Sequence, residues 1–278
     1  MNKIALLTDS SANLDKDILK ERSIYVLRMP VNIDGKEYIE EEDISYDEFI
    51  KDMRNKAICK TSQPPIGLMT ETFKKLLETY DEIIYLPISS KLSGTYQTAL
   101  NIAKDFDGKI TVIDSLSTAY PLGVLCLDVK KLIDDGCTTA QIVEKFKTFD
   151  PLWAALLPQD LQYLKRGGRI SSAGALLANL LKIVPILKVE DGAIDVYDKV
   201  RTFKKAIAVS IDAVVDVENI DDYHFLAIHS DCIEKGLQVK KDLEERINRE
   251  VEFSTIGTIV SAHTGPDTIG IGRIKKLI

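Results

Sequence analysis

The sequence predicts an α/β protein, with a parallel sheet carrying helices on both faces over residues 1–150 and a second α/β domain over residues 151–278. Two observations point to this. Three times in the first half, a short apolar run stops at a polar loop and gives way to a helical pattern. Strands that alternate with helices need right-handed crossovers and pair in parallel. From Pro151 the texture changes, and a length of 278 residues holds two domains of ordinary size.

The first unit is Lys3-Ile4-Ala5-Leu6-Leu7, too short for a helix, then Thr8-Asp9-Ser10-Ser11, then a helical pattern from Asp15 to Arg22. The second runs from Glu82 to Ile88, through Ser89-Ser90-Lys91-Leu92-Ser93-Gly94-Thr95, into a helix reaching about Phe106. The third is Lys109 to Ile113, Asp114-Ser115, and a helix from about Thr118 to Asp135. Between the first two, Ile24 to Ile33 reads as one strand closed by the Asp34-Gly35 turn. Ser45 with Glu48 three residues on reads as a capping box. Beyond Pro151 the pattern predicts a strand at Trp153 to Leu157, an Arg/Gly-rich loop, an apolar helix around Gly174 to Leu181, and strands flanking Asp191-Gly192. Helices at about Thr202 to Val217 and Ile233 to Glu250 surround a strand at His224 to His229. A last strand from Glu252 to Ala262 is expected to end at His263.

Hydrophobic residues make up 45% and charged residues 28%, the balance of a globular chain. The net charge of −7 opposes a phosphate backbone, so nucleic acid is not an expected partner. Cys59, Cys126, Cys137 and Cys232 form no CxxC pair and the sequence holds three histidines, which argues against disulfides and structural zinc. The N-terminus lacks a secretory pattern, and the apolar stretch 174–187 is interrupted by Asn179, Lys182 and Pro185. A cytoplasmic location is the expectation.

Open α/β sheets bind ligands at the carboxyl ends of their strands, where the polar loops fall. Thr61-Ser62-Gln63-Pro64-Pro65 sets two hydroxyls before two prolines that hold the backbone extended, which suits an anion or simply caps the next helix. The Ser89–Tyr96 loop leads into a helix N-terminus, offering NH groups, a positive dipole end and hydroxyls to a negative group. Neither GxxxxGK[ST] nor GxGxxG occurs, so the chain carries no nucleotide fingerprint of its own. His263 beside Gly265 could bind a carboxylate or act as acid or base, whereas His224 and His229 bracket an apolar strand and read as structural. Two basic clusters, Lys165, Arg166 and Arg169, and Lys199, Arg201, Lys204 and Lys205, are candidates for one docking face.

Thr8-Asp9-Ser10-Ser11-Ala12, Thr61-Ser62-Gln63-Pro64, Ile88 to Gln97, Val112-Ile113-Asp114-Ser115, Gly167-Gly168-Arg169-Ile170-Ser171 and His263-Thr264-Gly265-Pro266 together resemble the DegV family from end to end. The resemblance implies a carrier of one long-chain fatty acid such as palmitate, stearate or oleate. Its carboxylate would lie at the domain junction and its acyl chain in a lipid tunnel of the C-terminal domain. The carrier would need no cofactor and would have no catalytic or metal-binding residues of its own. A separate ATP-dependent fatty acid kinase subunit would phosphorylate the carboxylate, and the acyl phosphate would feed phospholipid synthesis. Carried over by position, Thr61, Ser62, Ser93 and His263 would contact the carboxylate, with Gly94 supplying a backbone NH. Arg169 and Arg201 would serve the head group, the partner, or both. A monomer suits such transient docking and leaves room for transient membrane contact. The apolar residues of 174–187 would be natural tunnel wall.

Two other classes compete with this reading. One is the substrate subunit of a phosphotransfer system for a small carbonyl compound, since the family's fold looks similar to dihydroxyacetone kinase substrate domains. The other is a hydrolase with Ser93 as nucleophile, His263 as base and Asp9 or Asp114 as the orienting acid, although no GxSxG elbow is present.

Overall fold

The computed structural model describes residues 2–170 and 183–278. Its first sheet is fully parallel. β1 (Ile4–Asp9) lies between β2 (Ile24–Leu27) and β6 (Glu82–Leu86), and β7 (Ile110–Val112) pairs outside β6. Alternation along β1 sends Ala5 and Leu7 to one face, where they meet Met69 and Phe73 of α3 (Ile66–Leu77) and Ala99 of α4 (Thr95–Ala103). Leu6 and Ile84 face the other way, onto Leu122 and Val129 of α5 (Ala119–Asp134). Helices therefore cover both faces, as the sequence predicts.

Ile24 to Ile33 is not one strand. β2 stops at Leu27, and β3 (Pro30–Ile33) belongs to a small antiparallel sheet between β4 (Lys36–Ile39) and β5 (Cys59–Thr61). Pro30 has no NH to continue a ladder, and the Met29 NH leaves the sheet to donate to Ser10 Oγ at 3.0 Å. α1 (Lys16–Arg22) follows β1, and α2 (Tyr46–Arg54) begins at the predicted Ser45–Glu48 capping box.

The second sheet has six strands in the order β10 (Ala193–Val200), β9 (Val184–Glu190), β8 (Trp153–Leu157), β13 (Thr268–Lys275), β11 (Tyr223–Ser230) and β12 (Glu252–Thr255), antiparallel except where β11 meets β12. β8, the hairpin of β9 and β10, and β11 follow the sequence reading. Three expectations are overturned. The Arg/Gly-rich segment is helical, α7 (Gln162–Gly167) after α6 (Thr139–Lys147), and it ends because Gly168 adopts φ +67°. The strand from Glu252 stops at Thr255 as β12, and Thr258–Thr264 is a helix, α10, so His263 sits in a last helical turn. The β-branched run Thr258-Ile259-Val260 reads as strand by composition, but Gly257 opens a helix there. The third is β13 (Thr268–Lys275), a strand unforeseen in the sequence that lies between β8 and β11. Gly270 and Gly272 hide it, since glycine is depleted in strands. The apolar helix expected around 174–181 lies outside the described residues.

α8 (Phe203–Val214) and α9 (Ile233–Ile247) cover the face of this sheet that carries Ala155, Phe225 and Ile271. The other face turns toward α5, and one apolar cluster runs from Leu6 through Leu122 to Leu156, Leu226 and Leu277. Asn13 Nδ2 donates to Thr255 O at 2.8 Å, a further tie between the two halves. Among the described residues, no helix is long and apolar enough to cross a membrane.

His224 ties α5 to the second sheet: Nε2 lies 3.3 Å from Asp128 and Nδ1 lies 3.2 Å from Glu252. Burial opposes the charged imidazole, but the hydrogen bonds to Asp128 and Glu252 outweigh it and raise its pKa to about 9. A raised pKa stabilises the fold fully below the unfolded value near 6.5 and is lost as pH climbs through 9. The melting temperature is therefore expected to fall between pH 7 and 9.5, with a loss of about 2 kcal/mol after solvent screening. Asp128→Asn should flatten that slope in a calorimetric pH series; an unchanged slope would assign it to other groups.

Candidate functional site

The parallel strands of the first sheet deliver their polar loops to one edge, and the second sheet closes over that edge. Asp9, at the end of β1, is fully buried, and burial raises its pKa. It accepts hydrogen bonds from the Ser11 NH at 3.0 Å and the Ile88 NH at 2.8 Å, so it fixes the start of the 88–95 loop. Asp114, beyond β7, accepts from the Ser90 NH at 3.1 Å. Ser89 Oγ donates to Gly192 O at 2.8 Å, which joins the loop to the β9–β10 turn. Gly192 is required at that contact: its φ is +75° and a Cβ would lie 2.2 Å from Ser89 Oγ. Arg169 Nε donates to Leu92 O at 3.3 Å.

Thr61, the last residue of β5, is held by the antiparallel pairing with β3, and the Ser62 NH donates to Pro30 O at 3.1 Å. Pro65 precedes α3 with no side-chain cap, so neither Thr61 nor Ser62 is spent on capping. Thr61 Oγ1 lies 2.7 Å from His263 Nε2. His263 Nδ1 is buried without a partner among the described residues and faces Gly167, where an added Cβ would lie 2.2 Å away. Burial first, and the Arg169 charge second, push the His263 pKa down to about 4, so the ring is neutral near pH 7. When Nε2 carries the proton, Thr61 Oγ1 accepts it and directs its own proton elsewhere.

Thr61, Ser62, Ser93, His263 and Arg169, all sequence candidates, line one cavity. Gly94 lies outside its wall, at the N-cap of α4, and Arg201 is exposed and lines none of it. The wall also holds residues the sequence reading missed, among them Gln63, Thr118 and Thr264. Thr118 could have been found by extending the loop argument to the third strand, whereas Thr264 lies just past the expected end of the last strand, where no pattern marks it. The hydroxyls of Thr118 and Thr264 are buried without partners among the described residues.

Beyond these two threonines the wall turns apolar. A second cavity lies between α5, α10 and the second sheet, and shares Thr118, Ile194, Val260 and Thr264 with the first. Ala154, Gly270 and Gly272 keep the sheet face low there, with Leu156, Leu226 and Ile228 beside them. The apolar space thus has walls from both halves of the chain rather than from the C-terminal domain alone. Of the stretch 174–187, residues 174–182 lie outside the described residues, and Ile186 and Leu187 are core.

The geometry does not assemble a hydrolase. Ser93 Oγ pairs with Thr95 Oγ1 at 2.9 Å, His263 with Thr61, and Asp9 and Asp114 with backbone NH groups. Serine, histidine and acid are not linked in a chain among the described residues.

The sequence profile of the DegV family, described as uncharacterised proteins, matches residues 3–276. The chain belongs to the DegV family. A DegV domain-containing protein of Streptococcus pneumoniae is 36% identical over 281 residues, which cover 99% of this chain and 100% of the relative. Among solved DegV-like structures, a stearic acid-binding protein of Eubacterium ventriosum superposes with a TM-score of 0.91 at 26% identity, covering 100% of this chain and 99% of that one. A fatty acid-binding DegV protein of Streptococcus agalactiae gives 0.90 at 30% identity, covering 99% and 100%.

Proposed function

We propose that this chain is a long-chain fatty acid carrier that presents the bound carboxylate to a separate ATP-dependent kinase subunit. The observation that carries the reading is the adjacency of the two cavities: a hydroxyl-rich cavity with one arginine shares Thr118, Ile194, Val260 and Thr264 with a space walled by apolar and small side chains. Such a shape matches an amphiphile with one anionic end. The fatty acid-binding relatives support the same reading. An acyl chain of about 16 to 18 carbons gains on the order of 10 kcal/mol on burial, at about 0.8 kcal/mol per CH₂, while the polar contacts chiefly fix orientation. Thr61, Ser62 and Ser93 donate to the carboxylate, Arg169 balances its charge, and neutral His263 orients the Thr61 hydroxyl. Arg201 is left for partner docking. Gly94 holds the start of α4 instead of meeting the ligand.

The absence of a nucleotide fingerprint from the sequence is consistent with phosphoryl transfer in trans. A carboxylate oxygen would attack the γ-phosphorus of ATP on the partner. An O–P bond forms to the acyl group, the bond to the β-phosphate oxygen breaks, and ADP leaves with the electron pair. The acyl phosphate then enters phospholipid synthesis in the cytoplasm. A division near residue 150 would separate the half carrying most head-group loops from the half carrying most of the acyl wall, in a monomeric carrier.

Protein purified from a bacterial host, denatured and extracted with organic solvent, should release about one C14–C18 fatty acid per chain by mass spectrometry. An empty extract, together with no thermal stabilisation by palmitate or oleate, would overturn the carrier reading and favour a small carbonyl ligand.

A further inference from the structure

A third cavity adjoins the head-group cavity at the Thr61–His263 pair. It shares Thr61, Arg169 and His263 with the head-group cavity and adds Lys60 from β5 and Arg166 from α7. Lys60 and Arg166 are exposed at its rim. Three cations therefore meet in one cavity of a chain whose net charge is −7. Among the described residues no carboxylate lines it, and none forms an ion pair with Lys60, Arg166 or Arg169. Among the described residues Arg169 donates to the carbonyl oxygens of Leu92 and Gly167, and Arg166 stacks 4.8 Å from the Tyr163 ring centre. The acids that act on neighbouring Cys59, Asp34 and Asp52, lie outside the wall. Unpaired cations gathered in a concave site create a positive field that a single carboxylate in the adjoining cavity does not use up.

We propose that this cavity is a subsite for a phosphate-type oxyanion, the phosphoryl group of a bound acyl phosphate. The acyl source rests on the carrier reading above; the affinity for the oxyanion does not. A carboxylate carries one negative charge, matched by Arg169 and the hydroxyls. Phosphorylation adds further charge and three acceptor oxygens. The new group lies one bond beyond the carboxylate oxygen, and the shared residues Thr61, Arg169 and His263 join that head-group site to the cavity where Lys60 and Arg166 stand. Arginine's planar fork suits two phosphate oxygens at once, and lysine adds a mobile point charge. The exposed rim leaves the site open to a partner that delivers ATP. Product would thus be held by cations that substrate never touches.

The test compares wild-type protein, Lys60→Gln/Arg166→Gln and the charge-conserving Lys60→Arg/Arg166→Lys by titration calorimetry. Two ligands are used: palmitate, and a hydrolysis-resistant long-chain acyl phosphonate. Binding of inorganic phosphate is followed by ³¹P line width. The neutral pair should weaken phosphonate binding about tenfold, leave palmitate within twofold, and be restored by the charge-conserving pair. Phosphate broadening that is lost in the neutral pair while phosphonate affinity holds would support the oxyanion subsite and assign it to free phosphate rather than to an acyl phosphate. Palmitate binding as expected, with phosphonate and phosphate both insensitive to the neutral pair, would overturn the subsite and leave the carrier reading intact. Failure of palmitate to bind any of the proteins would overturn the carrier reading, and the phosphate arm would still decide the subsite.

Discussion

Replacing Ala154 with Leu is expected to weaken binding of a C18 fatty acid about 50-fold while leaving a C10 acid nearly unaffected. Ala154 lines the apolar cavity and is absent from the head-group wall. It pairs across the sheet with Gly272, where an added Cβ would lie 2.9 Å from the Ala154 methyl. Two small residues side by side thus leave the sheet surface low, and the space above it is what an acyl chain would fill. Leucine brings three further carbons into that space and displaces about three methylenes. At about 0.8 kcal/mol each, the loss is about 2.4 kcal/mol, or about 50-fold in affinity. A short chain loses little because it does not need the occupied volume. Competition against a fluorescent fatty acid, run for both chain lengths, measures the effect. Equal losses for C10 and C18 would mean that Ala154 does not bound the acyl site.

The same geometry explains what could be read from the sequence. The three strand-loop-helix units were legible because a short apolar run and a helical periodicity are local patterns, and a parallel sheet brings their loops to one edge whatever the rest of the chain does. Thr61, Ser93 and Arg169 were found on that basis or through the family motifs, and they meet in one cavity. The apolar space was not legible, because what makes it is missing side chain: Ala154, Gly270 and Gly272 look like a weak strand and act as a cavity floor. His263 was identified with the wrong support, since Thr258-Ile259-Val260 has strand composition and helical structure. Its Thr61 partner lies 202 residues away, a contact that local pattern does not encode. Arg166 and Arg169 stood out as a basic cluster, but only the fold brings Lys60 beside them.

Thr61→Val should weaken fatty acid binding about 30-fold, whereas Thr61→Ser should stay within a few-fold of wild type. Valine keeps the shape and removes the hydroxyl that lies 2.7 Å from His263 Nε2. Two costs then combine. The carboxylate loses a donor, and the imidazole nitrogen is left buried and unpaired; together these come to about 2 kcal/mol, within the range for a hydrogen bond to a charged group. Serine restores the hydroxyl and loses only a methyl. The pH dependence separates this arrangement from a direct ion pair. With the His263 pKa pushed down to about 4 by burial and by Arg169, the ring is neutral throughout pH 6–8, and affinity should be flat across that range. If a protonated His263 held the carboxylate directly, affinity would climb as pH fell through 6.5, because each ligand bound would then take up a proton. Palmitate titrations of wild type and both variants at pH 6, 7 and 8 decide between a neutral imidazole that aims a hydroxyl and a charged one that grips the ligand. A rise in wild-type affinity toward pH 6 that disappears in a His263→Gln variant would establish the second and displace Thr61 as the central donor.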